Sequence, residues 1–207
     1  MALEMKKTLA ASVMALSALS AHAADLGAYA FGTAGASYST IERGDNLPSS
    51  ASVNSGKQTD AAWEMGAGYR FDRSLAVEVS YADFGKSDAN FNFCGFLSCV
   101  NGNLSAATTA VRASLLTFLP INDKVELFGR LSLNRVQTKV SLGSDSQDFN
   151  RTRAGFGFGA HYALSKQLAL RGEFEYLAGA MDLQYNGYSL VKTSGQSALK
   201  AGLSYQF

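Results

Sequence analysis

Five acids and six bases recur at even spacings inside segments otherwise built to be apolar: Glu64, Glu78, Glu126, Glu173 and Glu175 against Arg70, Arg112, Arg130, Arg153, Arg171 and Lys200. Paired carboxylates serve general acid–base chemistry or bind cations, whereas alternating acids and bases compensate one another where charge is buried. The spacing favours compensation. No His, Cys, Asp or Glu cluster has metal-ligand spacing, so neither a metal nor a cofactor is expected. The only histidines are His22, near the N-terminus, and His161, on the same face as the charges. His161 is expected to be a hydrogen-bonding residue of an interior, and no catalytic residue is assigned. Cys94 and Cys99 form a separate pair in one polar stretch, and in a secreted chain they suggest a local disulfide.

The elements that position these charges are strands. Over Ser197 to Phe207, residues Leu199, Ala201, Leu203, Tyr205 and Phe207 share one face, while Ala198, Lys200, Gly202, Ser204 and Gln206 share the other. Side chains alternate with period two along a strand, so this is one apolar and one polar face. The pattern repeats. Trp63, Met65, Ala67, Tyr69 and Phe71 oppose Glu64, Gly66, Gly68 and Arg70, and Leu75, Val77, Val79 and Tyr81 oppose Ala76, Glu78 and Ser80. Val111, Ala113 and Leu115 oppose Ala110, Arg112 and Ser114, and Leu127, Leu131 and Leu133 oppose Glu126, Phe128 and Arg130. Ala154, Phe156, Phe158 and Tyr162 oppose Arg153 and His161; Leu168, Leu170, Phe174 and Tyr176 oppose Arg171, Glu173 and Glu175. A first strand near Leu26 to Tyr38 is apolar on both faces, which leaves its phase open. The count is eight.

Connections alternate. Turns around Asp72 to Ser74, Leu119 to Lys124 and Leu164 to Gln167 are tight; Ser39 to Asp60, Gly85 to Asn103, Thr138 to Arg151 and Ala178 to Gln196 are long and polar or glycine-rich. Short turns at one end and long loops at the other match an outer-membrane barrel with its turns in the periplasm. A soluble barrel would leave an aromatic surface in water far larger than a normal exposed patch. At the N-terminus, Lys6-Lys7, the apolar stretch Thr8 to Ala21 and Ala21-His-Ala23 have the order of a secretory signal, with cleavage expected before Ala24. Residues 1–23 are thus expected to be removed and 24–207 to form the barrel; whether Met1 or Met5 starts the chain is open. A net charge of +1 gives no reason to expect nucleic acid. The expectation is an all-β, closed, up-and-down, eight-stranded antiparallel transmembrane barrel in the bacterial outer membrane, termini periplasmic and long loops extracellular.

Gly68-Tyr-Arg-Phe71, Leu75-Ala-Val-Glu-Val-Ser-Tyr-Ala-Asp-Phe-Gly85, Gly157-Phe-Gly-Ala-His-Tyr-Ala-Leu164 and the terminal Tyr205-Gln-Phe207 carry a resemblance to the small outer-membrane barrel family typified by the transmembrane domain of outer-membrane protein A. The resemblance extends over essentially the whole mature chain, and its motifs specify architecture rather than activity. It implies that Tyr205 and Phe207 act as a signal to the outer-membrane assembly machinery. No peptidoglycan-binding domain follows the barrel in this sequence, so a cell-wall tether is not carried over. The lipid-modifying barrel enzymes need a histidine and serine facing lipid or the outer surface, and His161 lies on the other face at the periplasmic end. The chain is not expected to be an enzyme.

Eight strands enclose little beyond side chains. The lumen charges are expected to plug the barrel, Lys200 pairing with Glu175 and Arg70 with Glu78 across adjacent strands. A narrow porin-like channel for ions or small solutes is the alternative. Around the cysteines, Phe91, Phe93, Phe96 and Leu97 make an apolar loop tip that either contacts a host or surface partner or folds over the barrel mouth. The expected role is structural and surface-presenting, with adhesion through the loops and with membrane lipid and lipopolysaccharide as the surrounding partners.

Overall fold

The computed structural model describes residues 26–43, 51–53, 56–94, 99–142, 145–179, 181–185, 188–193 and 195–207; for the outermost strand segments only the backbone path is described. The strands are β1 (Gly27–Arg43), β2 (Ala51–Val53), β3 (Gly56–Arg70), β4 (Leu75–Cys94), β5 (Cys99–Pro120), β6 (Val125–Leu142), β7 (Asp145–Ala163), β8 (Leu168–Leu177), β9 (Met181–Tyr185), β10 (Tyr188–Thr193) and β11 (Gln196–Gln206). Eight of them, β1, β3 to β8 and β11, form the wall. Each pairs antiparallel with its neighbour, and β11 closes on β1 from Tyr29↔Gln206 to Tyr38↔Ser197. Closure leaves no sheet edge within the membrane, where an unpaired backbone group would cost several kcal/mol. β2, β9 and β10 are short additions at the outer end.

The alternation of residue types decides which side chains face out. Val79, Leu131, Leu133 and Phe158 each remain more than 60% exposed, because their surroundings are lipid rather than protein. Two aromatic girdles bound this belt. Trp63 and Tyr81 meet at the outer rim with ring centres 5.6 Å apart, and Tyr69–Phe71 and Tyr205–Phe207 lie at the turn end at 5.2 and 5.4 Å. Amphipathic rings at both rims match a bilayer's two interfaces. The phase left open in β1 is set by register: Tyr29, Phe31, Thr33 and Ser37 point inward and are buried, and Ala30, Gly32 and Ala34 face lipid.

At the turn end each hairpin is closed by a side-chain oxygen, the usual use of Asp, Asn and Ser in tight turns. Asp72 Oδ1 accepts from the Ser74 amide at 2.6 Å and from its hydroxyl at 2.7 Å. Asn122 Oδ1 accepts from the amides of Lys124 and Val125, each at 2.9 Å, and Ser165 Oγ from those of Gln167 and Leu168 at 3.3 and 3.1 Å. The Ser74 bonds hold the Asp72 carboxyl below its usual range.

The long connections differ from expectation. β4 and β5 stay paired as far as Cys94↔Cys99, and β6 and β7 as far as Leu142↔Asp145, so most of the stretches 85–103 and 138–151 is ladder rather than loop. Val136, Thr138 and Val140 continue the inward alternation of β6 above the charged layer, which extends the strand past the hydrocarbon. A bulge between Asp83 and Lys86 marks where β4 leaves the membrane. Gly85 takes φ +76° there, and a Cβ on it would stand 2.6 Å from the Ala61 carbonyl oxygen. Only glycine fits this corner.

Candidate functional site

The lumen is built in layers. A central layer holds Glu64 from β3, Glu78 from β4, Arg112 from β5, Arg130 from β6, Arg171, Glu173 and Glu175 from β8, and Lys200 from β11. Arg130 contacts Glu78 at 2.7 Å, Glu64 at 3.1 Å and Glu173 at 3.1 Å, and thus joins three acids from three strands. Arg171 contacts Glu78 at 2.7 Å and Glu173 at 3.0 Å; Arg112 contacts Glu175 at 2.5 Å and Glu64 at 3.0 Å. Lys200 lies 3.1 Å from both Glu173 and Glu175 and also bonds Glu64. Four carboxylates face four cations, so the layer is formally neutral, and all eight groups are buried.

Neutral partners complete the network. Tyr29 donates its hydroxyl to Glu78 at 2.8 Å, Ser80 donates to Glu64 at 2.6 Å, and Arg112 Nε donates to Asn134 Oδ1 at 2.6 Å. The Arg171 guanidinium lies 4.1 Å from the centre of the Phe31 ring and 4.9 Å from that of Phe128. Such contacts let a cation sit beside aromatic faces with partial compensation. Gly68 makes the room: a Cβ there would fall 2.4 Å from the Tyr29 ring.

Apolar layers flank the charges on both sides. Ala62, Ala82, Phe84, Ala110, Val136, Leu177 and Ala198 pack on the outer side. Tyr29, Phe31, Ala76, Leu116, Phe118 and Phe128 pack on the periplasmic side. The crevice lined by Arg112, Arg130, Asn134 and Glu175 has no room for a water molecule. Below the inner apolar layer, Glu126 accepts from Arg70 at 2.9 and 3.0 Å and lies 3.0 Å from His161 Nδ1. This smaller cluster sits in a periplasmic vestibule of about 560 Å³ that stops at Tyr29, Phe118 and His161.

One expected pairing holds with a shifted register, and the other does not form. Arg70 reaches across the lumen to Glu126 rather than to Glu78, which Arg130 and Arg171 occupy. Lys200 touches Glu175 but stands opposite Glu173 in the ladder. Counting residues from the turn ignores strand tilt, which shifts the height of each strand against the next. Arg153 stays outside both clusters, and its guanidinium donates to the carbonyls of Leu177 at 3.2 Å, Ala178 at 2.8 Å and Gly179. Tyr29, Asn134 and Phe31 are the residues that sequence reasoning did not single out; the two-sided apolar pattern of β1 hid the first and last. Glu64, Glu173 and Glu175 bring oxygens within 4.8 Å of one another, and the Lys200 ammonium contacts all three where a metal ion would sit.

At the outer end the backbone places Cys94 opposite Cys99 and sets Phe91 and Phe93 against Val53 and Ala51. Their side chains, Phe96 and Leu97, and the expected cleavage site after Ala23 lie outside what is described. Phe207 donates its amide to the Ala28 carbonyl at 3.1 Å, which fastens the C-terminus to β1 beside Tyr205.

Comparison with curated protein sequences returned no match. Among solved structures, Neisserial surface protein A superposes with a TM-score of 0.54 at 18% identity, covering 87% of this chain and 99% of its own. OprG from Pseudomonas aeruginosa gives 0.55 at 14% identity, covering 88% and 97%. The N-terminal β-barrel domain of OprF from the same organism gives 0.51 at 12% identity, covering 88% and 98%. At these identities the likeness is one of fold. Residues 8–207 match the family described as the outer membrane protein beta-barrel domain. The chain therefore belongs to the outer-membrane β-barrel family, and its place is the bacterial outer membrane.

Proposed function

We propose that the protein is a closed structural barrel that presents its outer strands and loops at the cell surface, and that its lumen does not conduct. One observation carries this reading: eight charges of balanced sign, joined across six strands and buried between two apolar layers. Opening a path through them means separating buried ion pairs, each of which is costly to break. Narrow transport is the second reading, favoured by the cavity on each side of the charged layer. The test is solute flux into proteoliposomes. Swelling rates equal to protein-free vesicles support the closed barrel, and fast entry of small sugars or ions supports the channel.

The surface role rests on the ladder that carries Phe91 and Phe93 beyond the membrane, with Phe96 and Leu97 between Cys94 and Cys99. In this reading a disulfide joins the two cysteines that the register sets opposite each other, and the apolar tip meets a host or surface partner. Replacing Phe93 and Phe96 with serine should abolish adhesion and leave folding intact. Tyr205 and Phe207 form the assembly signal, residues 1–23 are removed on export, and the barrel carries no catalytic centre. The last point is supported by His161, which is bound to a carboxylate at the periplasmic mouth rather than set beside a nucleophile.

A further inference from the structure

The blind vestibule at the periplasmic mouth, about 560 Å³, has the size of a site that holds a small ligand. All three tight turns contribute to its wall. Arg73 comes from the turn between β3 and β4, Lys124 from that between β5 and β6, and Lys166 from that between β7 and β8. Each turn is closed on itself and also tied to a neighbouring strand. The Ser74 carbonyl accepts from the Phe118 amide at 2.8 Å, that of Lys124 from Ala163 at 2.8 Å, and that of Gln167 from Gln206 at 2.7 Å. The rim is therefore set in place before anything binds, which lowers the ordering cost of binding. Tyr29, Phe118 and Leu168 supply apolar lining. Glu126 and its register partner His161 lie two residues deeper than Lys124, about 7 Å along the strand.

The charges of the vestibule are unequal. Arg70, Arg73, Lys124 and Lys166 line it against Asp123 and Glu126. Deep inside, Glu126 is taken up by Arg70 at 2.9 Å, and that guanidinium rests 4.1 Å from the centre of the Phe118 ring. The floor is thus neutralised. At the rim, Arg73, Lys124 and Lys166 enter no ion pair among the described residues. Asp123 is their one acidic neighbour in the lining, and the Asp72 carboxylate beside Arg73 is turned to the Ser74 amide and hydroxyl. Adjacent turns stand two strand spacings apart, about 10 Å along the wall. The three cations are therefore spread around the mouth rather than gathered at one point, which suits several separated carboxylates better than a single phosphate. Tight turns face the periplasm in an outer-membrane barrel, so a soluble periplasmic chain has access to this mouth.

We propose that the periplasmic vestibule is a docking site for a short acidic peptide segment of a periplasmic protein, its carboxylates distributed among Arg73, Lys124 and Lys166. The experiment is titration of the full mature chain, folded in a zwitterionic detergent, with fluorescently labelled tetraglutamate read by anisotropy. Wild type should bind saturably, one peptide per barrel, and more weakly as salt is raised. K124A/K166A, which removes two exposed side chains and leaves the turn backbone bonds in place, should weaken binding about tenfold, equivalent to about 1.4 kcal/mol. A169F, which fills the vestibule, should abolish binding while the barrel keeps its heat-modifiable migration. K57A, at the outer end, should bind as wild type does. Equal affinity of wild type and K124A/K166A overturns the assignment, and so does a loss in K57A as large as in K124A/K166A. Tetraglutamine binding as tightly as tetraglutamate, or inorganic phosphate displacing the peptide at equal concentration, also overturns it. An absence of saturable binding does so whether or not the barrel conducts, so solute flux and peptide titration fail separately.

Discussion

The membrane half and the outer half of this barrel use the same strands under opposite rules. In the membrane half every wall strand has two neighbours, each hairpin is closed by a side-chain oxygen, and the eight central charges are paired inside the lumen. In the outer half, among the described residues, β7 above Gly155 is paired with β6, and Arg153 spends its hydrogen bonds on the backbone carbonyls of Leu177 to Gly179 rather than on acids. The difference follows from solvent. Lipid satisfies no backbone group and no charge, so the buried part must be complete within itself. Above the bilayer, water and headgroups serve as partners for groups the chain does not pair.

The sharpest way to break the inner half is R171M. It takes from Glu78 one of two cations at 2.7 Å and from Glu173 the cation at 3.0 Å, and removing one member of a buried ion pair costs roughly 3–5 kcal/mol. Urea unfolding in detergent, followed by heat-modifiable migration, should report a loss of that size. The outer half should respond less and separately. R153A should cost roughly 1–3 kcal/mol and speed hydrogen exchange at Leu177 to Gly179 while amides beside Glu64 stay protected. Equal deprotection in both halves would mean that the two are one cooperative unit. E126Q, in the half-open periplasmic mouth, should cost roughly 1 kcal/mol or less, and it should leave the central layer untouched. D72A should have the smallest effect, and one with a pH signature. The Asp72 carboxyl is held below its usual value of 3.8 in the fold, so its contribution is complete above that pH and fades as pH falls through the lower, folded value. The difference between D72A and wild type should therefore vanish in strong acid and hold constant from pH 5 to 8.

The same contrast governs what could be read from the sequence. Lys200, Glu64 and Arg112 interrupt runs of alternating apolar residues, so their inward direction follows from period two once lipid is placed on the other face. Their partners do not follow, because contacts across a lumen depend on tilt and stagger that no single strand carries; Arg70 meeting Glu126 is the example. β1 gave no phase, since Ala and Gly on its lipid face are no more apolar than Tyr29 and Phe31 on its lumen face. The rise of β7 beyond the bilayer was hidden for a third reason. Polar residues such as Thr152, Asn150 and Asp148 look alike in a loop and in a strand that has risen out of the bilayer.

The closed lumen is the central claim, and single-channel recording of the purified barrel in planar bilayers tests it most directly. Wild type should be electrically silent, whereas R130A, which removes the cation joining Glu64, Glu78 and Glu173, should show brief openings. A stable wild-type conductance whose size or selectivity changes in R112A or E173Q would contradict the account.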